Sequence, residues 1–195
     1  MTLVVIGRES LDELEALARA SFSAVPDRDT QVELIEVPLY VPEQLPLMVY
    51  IQPEASERQL QLSFPLPENY DRNYRRKSLG YIGNLIGHEG EGSLLSLLKA
   101  QGWAEALGAG AGLAYRDGAA FSIGITLTEA GLEQREQVLD SLFAYIRLLQ
   151  EEGPIAALYD EQAQVSALGF RFREQGKVMS YATSLAHDMQ YFDPE

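Results

Sequence analysis

GYIGNLIGHEGEGSLLSLLKAQGWAEALGAGAG, residues Gly80 to Gly112, concentrates glycine at Gly83, Gly87, Gly90, Gly92, Gly102, Gly108, Gly110 and Gly112. Each costs about 1 kcal/mol against Ala inside a helix, so these residues punctuate the chain. The pattern predicts a helix ending near His88 and a tight turn through Gly90, Glu91 and Gly92. A second helix follows, capped by Ser93, carrying Leu94, Leu95, Leu97 and Leu98 and stopping at Gly102. From Trp103 to Ala111 the chain reads as extended, with Gly and Ala where strands ordinarily hold bulky side chains. Small residues in a strand allow a second backbone to come close.

On the N-terminal side, Thr2 to Ile6 reads as a short buried strand ended by Gly7. Ser10 with Glu13 forms a capping box, and Leu11, Leu14, Ala18 and Phe22 recur at helical spacing, which predicts a helix from Leu11 to Ala24. Pro26 to Pro46 is polar and interrupted by Pro38 and Pro42, which impose extended backbone without regular pairing and mark a linker. Leu47 to Gln52 and Arg58 to Phe64 read as strands. The second alternates Leu60, Leu62 and Phe64 with Gln59, Gln61 and Ser63, and Pro65 and Pro67 are expected to stop it. A helix from about Arg72 to Ile86 would place Leu79, Ile82 and Ile86 on its inner face.

On the C-terminal side, Ala119 to Leu127 alternates apolar and small residues, predicting a strand antiparallel to the Trp103 strand with Tyr115 to Gly118 as the turn. Thr128 is the expected cap of one long helix whose Leu132, Leu139, Leu142, Ile146 and Leu149 form a stripe ending near Gln150. Gly153-Pro154 separates it from a helix running to Phe172, and Val178 to Met189 resumes after a break near Gly176. Hairpin strands with gathered helices define an α+β fold, an antiparallel sheet with helices packed on one face.

Bulk properties narrow the function. A hydrophobic content of 46% is enough for a core, and a net charge of −14 repels nucleic acid and anionic membranes, so neither is an expected partner. No apolar run reaches the length of a membrane span, and Met1 precedes a strand-like TLVVIG without a basic leader. With zero cysteine there is no disulfide and no thiolate chemistry. Only His88 and His187 could ligate through imidazole; neither sits in a zinc motif, and no serine lies beside an evident base, so no catalytic or metal residue is assigned. Gly-x-Gly before a helix can cradle anions, but Glu89 and Glu91 occupy the anion's place here.

GYIGNLIGHEGEGSLLSLLKAQGW, LTEAGL, FAYI, EEGP and FRFRE, in that order and collinear with the early RESLDEL, resemble the second domain of the insulinase/pitrilysin family of zinc metallopeptidases across essentially the whole chain. The resemblance implies that residues 1–25 end the preceding catalytic domain, 26–46 form the linker, and 47–195 form a non-catalytic domain of the mitochondrial-processing-peptidase-like type. It also implies a further helix and strand beyond Glu195, whose absence would leave a sheet edge for the Thr2 to Ile6 strand or a neighbouring molecule to cover. The family's inverted HxxEH motif is missing here, so zinc and activity belong to the parent molecule and the fragment alone is expected to be inactive. The parent would be periplasmic if it is like the family's bacterial members, and otherwise cytoplasmic.

The resemblance further implies an exosite that holds the N-terminus of a peptide substrate, with Asn84, Gly87 and Glu89 on the helix and turn and Leu107, Ala109 and Ala111 on the strand. Strand addition gives affinity through the backbone, and a carboxylate can pair with the α-ammonium. Asn84 stands where a family member has His, and Gly108-Ala109-Gly110-Ala111 replaces Val-Gly-Gly-Gln, so peptide preference need not be shared. The same small residues also suit plain close packing of helix on strand. An alternative function is accordingly a purely structural scaffold or a subunit-contact domain, like the family's inactive halves.

Overall fold

The computed structural model describes residues 2–30, 37–68, 70, 74–115, 118–174 and 176–192. The chain divides into two compact units, Met1–Leu39 with Arg171–Glu195, and Tyr40–Phe170.

In the first unit, α1 (Leu11–Phe22) starts at the expected capping box. Ser10 Oγ accepts from Glu13 N (3.4 Å), and Glu13 Oε2 accepts from Ser10 N (2.9 Å). That backbone bond, with a second from the Ser10 hydroxyl, holds the Glu13 carboxyl below its ordinary pKa. Thr2 to Ile6 is not a strand: Leu3, Val5 and Ile6 are 43–44% exposed, and no described strand pairs with them. An apolar β-branched run becomes a strand only where a ladder partner takes its main-chain groups. The linker expected at 26–46 includes 31–36, which lie outside the described residues.

The second unit is built on three antiparallel strands, β1 (Gln59–Leu66), β2 (Ala104–Tyr115) and β3 (Gly118–Leu127), in the order β1-β3-β2. Leu60, Leu62 and Phe64 line up on the face that β3 fills with Phe121, Ile123, Ile125 and Leu127. Helices α2 (Ser78–Ile86), α3 (Leu94–Ala100) and α5 (Arg135–Glu152) cover that face. They contribute Leu79 and Ile86, then Leu94, Leu95 and Leu98, then Val138 and Leu142 to one core. The opposite face is polar or side-chain-free: Gln59, Gln61 and Ser63 on β1, Ser122, Gly124 and Thr126 on β3, Gly108 and Gly110 on β2.

Further expectations change in this unit. Leu47 to Gln52 forms no strand, and Leu47, Met48, Val49, Tyr50 and Ile51 are 61–83% exposed, again without a ladder partner among the described residues. β1 is not stopped by Pro65 but continues to Leu66. The register explains this, because Leu127 N bonds to Arg58 O on the β1 side (2.8 Å) and main-chain groups alternate sides along a strand. Pro65 therefore falls where its missing N–H would point off the free edge. α2 starts at Ser78, after Lys77 in the left-handed region (φ 50°), so Arg75 and Arg76 precede the helix; of the expected start, residues 71–73 lie outside the described residues. On α2 it is Leu85, not Ile82, that is buried.

The helix expected after Thr128 is two helices, α4 (Glu129–Glu133) and α5, separated at Gln134 (φ −99°, ψ 25°). α4 is pinned to the start of β2. Thr128 Oγ1 donates to Gly102 O (2.6 Å), and a Cβ at Gly131 would stand 1.8 Å from Trp103 O. α5 must lie along α3, so the axis turns between them. α6 (Ala156–Arg171) follows Gly153, and α7 (Val178–Asp188) lies in the first unit.

Candidate functional site

The outer edge of β2 is defined by hydrogen-bond parity. Thr128 N bonds to Trp103 O toward β2 (3.0 Å), whereas Leu127 bonds toward β1. Alternation along β3 then turns Ile125, Ile123 and Phe121 toward β1, and their opposites Leu107, Ala109 and Ala111 point their N–H and C=O groups outward. Gly108 and Gly110 bond inward instead. Among the described residues no strand or other backbone partner engages that outer edge between Leu107 and Ala111.

α2 lies beside this edge because two of its positions lack side chains. A Cβ at Gly83 would stand 2.6 Å from Ala109 O and 3.0 Å from Gly110 Cα. Gly87, the residue after α2, brings its own Cβ direction to 3.6 Å from Ala109 N. Gly83 and Gly87 are four apart and share one helical face. The Ala109 main chain is thus partly occupied by α2.

The expected residues fall as follows. Leu107 is 7% exposed with its side chain in the core, so it can offer only its backbone. Ala109 and Gly87 are half-buried, and Ala111, Asn84 and Glu89 are exposed. The helix and strand sets are brought together through Gly83, Gly87 and Ala109. Glu89 stands two residues past Gly87, and among the described residues its carboxylate has no recorded hydrogen bond or ion pair. Asn84 is engaged: Gln162 Nε2 on α6 donates to its Oδ1 (2.8 Å). Gln162 was not foreseeable, since it lies 78 residues away with no spacing to announce it. Gly83 could have been found, because Gly83 and Gly87 at helical spacing signal a close approach.

Zinc does not fit the residues present. His88 Nδ1 accepts from Gly90 N (3.1 Å), folding the imidazole onto its own turn, and His187 packs edge-on against Tyr191 at 5.0 Å between ring centroids. No group of three His, Cys, Asp or Glu converges among the described residues. A shallow apolar concavity of about 620 Å³ between α3 and α5 is lined by Leu97, Ala100, Ala144 and Leu148. Its one buried hydroxyl, Ser93, caps α3 by accepting from Ser96 N (3.1 Å). Among the described residues no helix is long and apolar enough to cross a membrane.

Fold and surface together define an α+β domain whose distinctive feature is a strand edge, unpaired by any described strand, against which a glycine-faced helix packs. The chain belongs to the peptidase M16 inactive-domain family, whose model matches residues 1–165. It is similar to insulin-degrading enzyme of Homo sapiens, 34% identical over 195 residues, covering 100% of this chain and 19% of that protein. A Schizosaccharomyces pombe protein bearing a zinc-protease name is 33% identical over 190 residues, covering 97% of this chain and 20% of the relative. The crystal structure of pitrilysin superposes with a TM-score of 0.80 at 28% identity, covering 94% of this chain and 20% of that one. The chain therefore spans about a fifth of the length of these relatives.

Proposed function

We propose that this chain is a non-catalytic, substrate-binding domain of a zinc metalloendopeptidase that degrades peptides. A peptide adds as a strand to the outer edge of β2, pairing with the outward main-chain groups of Leu107 and Ala111, while Glu89 receives its α-ammonium. The observation that carries this reading is the parity of β2, which directs those groups to an edge that no described strand pairs, while Glu89 stands exposed two residues past the glycine that abuts Ala109. Backbone pairing supplies affinity with little sequence preference. Zinc, its ligands and the water that attacks the peptide bond belong to other domains of the parent, which are this chain's further partners.

Glu89→Ala is expected to weaken binding of a free-amino peptide about tenfold, the order of a charge-assisted bond, without shifting Tm. Calorimetric titration against the N-acetylated peptide is the check: equal binding of both forms would exclude the ammonium contact.

A scaffold role is the second reading, favoured by one specific observation. Gly83 sits so close to Ala109 that part of the small-residue pattern serves packing inside the domain. Absence of peptide binding by the wild-type chain would leave that reading alone.

A further inference from the structure

α2 presents successive faces to three neighbours. Leu79 and Ile86 face the core, Gly83 and Gly87 face β2, and Tyr81 faces α6. Positions advance about 100° per residue, so Asn84 lies between the β2-facing glycines and the α6-facing tyrosine.

The first half of α6 is joined to α2 by a small set of side-chain contacts. Tyr81 Oη accepts from Ile155 N (2.9 Å) and lies 3.3 Å from Ile155 O, and the Tyr81 ring meets Tyr159 edge-on at 6.1 Å. Gln162 completes the attachment at Asn84. Leu158 and Gln162 are the half-buried positions of α6, and no residue of this helix is buried. The Asn84–Gln162 bond is an exposed polar contact, which contributes little to folding. Its effect is on orientation.

An Asn amide carries an acceptor and a two-hydrogen donor on opposite branches of one plane. With Oδ1 engaged by Gln162 on α6, Nδ2 is the branch of the amide left for a guest. We propose that Gln162 is a positioning residue of the strand-binding edge: it fixes Asn84 so that its Nδ2 hydrogens, and not its carbonyl, meet the bound peptide. This deepens and rests on the strand-addition reading. Asn84 then donates to a main-chain carbonyl of the guest while Glu89 accepts from its amino group, so the two side chains read opposite polarities. An added strand supplies such carbonyls along its length, whereas an ammonium would be repelled by Nδ2.

The test is a polarity reversal. Gln162→Glu replaces the donor facing Asn84 by an acceptor, which draws Nδ2 to α6 and leaves Oδ1 as the branch offered to a guest. Binding of a short, alanine-rich, fluorescein-labelled peptide with a free amino terminus is followed by anisotropy with the 195-residue chain. Expected is a loss of about tenfold, equivalent to about 1.4 kcal/mol, with the circular dichroism spectrum and Tm unchanged. In an Asn84→Ala background the same substitution should have no further effect, since the role runs through Asn84. The Asn84 side-chain amide signals should move on peptide addition in the wild type and stay still in Gln162→Glu. Wild-type affinity in Gln162→Glu, or an equal loss in the Asn84→Ala background, overturns the positioning role and leaves the strand edge intact. Failure of the wild-type chain to bind the peptide overturns the edge reading, and this inference with it.

Discussion

β3 and β2 are neighbours in one sheet, yet β3 buries Phe121, Ile123, Ile125 and Leu127 in strict alternation, whereas β2 buries only Ala104 and Leu107 and leaves most of its length exposed. The difference follows from position. β3 is the central strand, covered by helices on one face and paired on both sides, so each inward side chain is removed from water. β2 has one ladder and a helix packed directly on its backbone, and that contact requires side chains to be absent. Stability is concentrated in the first strand. The second presents main chain to its surroundings, which stability alone would not favour.

The largest expected effect breaks the comparison at its centre. Ile123 is fully buried, and Ile123→Ala should cost about 2–5 kcal/mol through lost transfer energy and a cavity that the sheet cannot collapse around. Gly110→Ala on β2 meets nothing within 4 Å and should change stability by no more than about 0.5 kcal/mol. Denaturant unfolding of both variants is the check. A similar loss at the two sites would mean that β2 is as deeply involved in the core as β3.

A smaller effect sharpens the helix side of the same comparison. Gly80 and Gly83 are both in α2, but a Cβ at Gly80 meets nothing within 4 Å, while one at Gly83 meets Ala109 O at 2.6 Å. Gly80→Ala should therefore stabilise by about 0.5–1 kcal/mol through propensity and unfolded-state entropy. Gly83→Ala should destabilise by about 1–3 kcal/mol, because backbone must move to admit the methyl. Thermal unfolding should show Tm shifts of opposite sign, and Gly83→Ala should also perturb the amide signals of Ala109 and Gly110. Equal shifts would remove the close approach as the reason for the glycine.

The contrast also explains what could be read in advance. Ser10–Glu13, the Ser93 cap, the stops at Gly102 (φ 71°) and Gly153 (φ 70°) and the alternation of β3 were legible because each is decided within a few residues. Hairpin strands with gathered helices carried the fold class, and the family resemblance, covering essentially the whole chain, agreed with it. The passage of β1 through Pro65, the left-handed Lys77 start of α2 and the turn at Gln134 were not legible, since each depends on which side a neighbour lies. The apolar runs at Thr2–Ile6 and Leu47–Gln52 have strand composition, and their exposed state depends on a ladder partner that no local pattern reports. At the candidate site, small residues announced that something approaches β2. Gly83 as the approaching surface and Gln162 as the partner of Asn84 emerged only from tertiary structure.

The smallest expected effect concerns how the core side of the sheet is tied to α2. Tyr145 on α5 is half-buried, and its hydroxyl donates to Leu85 O near the end of α2 (3.3 Å). Burial pushes the phenol above its ordinary pKa, because the phenolate would lose water without gaining a positive partner. A raised value in the fold means that the native state holds its proton longer than the unfolded chain. The associated stability is fully present below the unfolded value of about 10 and is lost as pH rises from there through the raised folded value. Denaturant unfolding across that alkaline window should show a decline that Tyr145→Phe partly removes, at a slight cost near neutral pH from the lost bond to Leu85. A decline unchanged in Tyr145→Phe would show that the phenol titrates alike in folded and unfolded chains. The bond to Leu85 O is read separately, from the cost of Tyr145→Phe near neutral pH, where the phenol is protonated in both states and only the polar tie between α5 and α2 is removed.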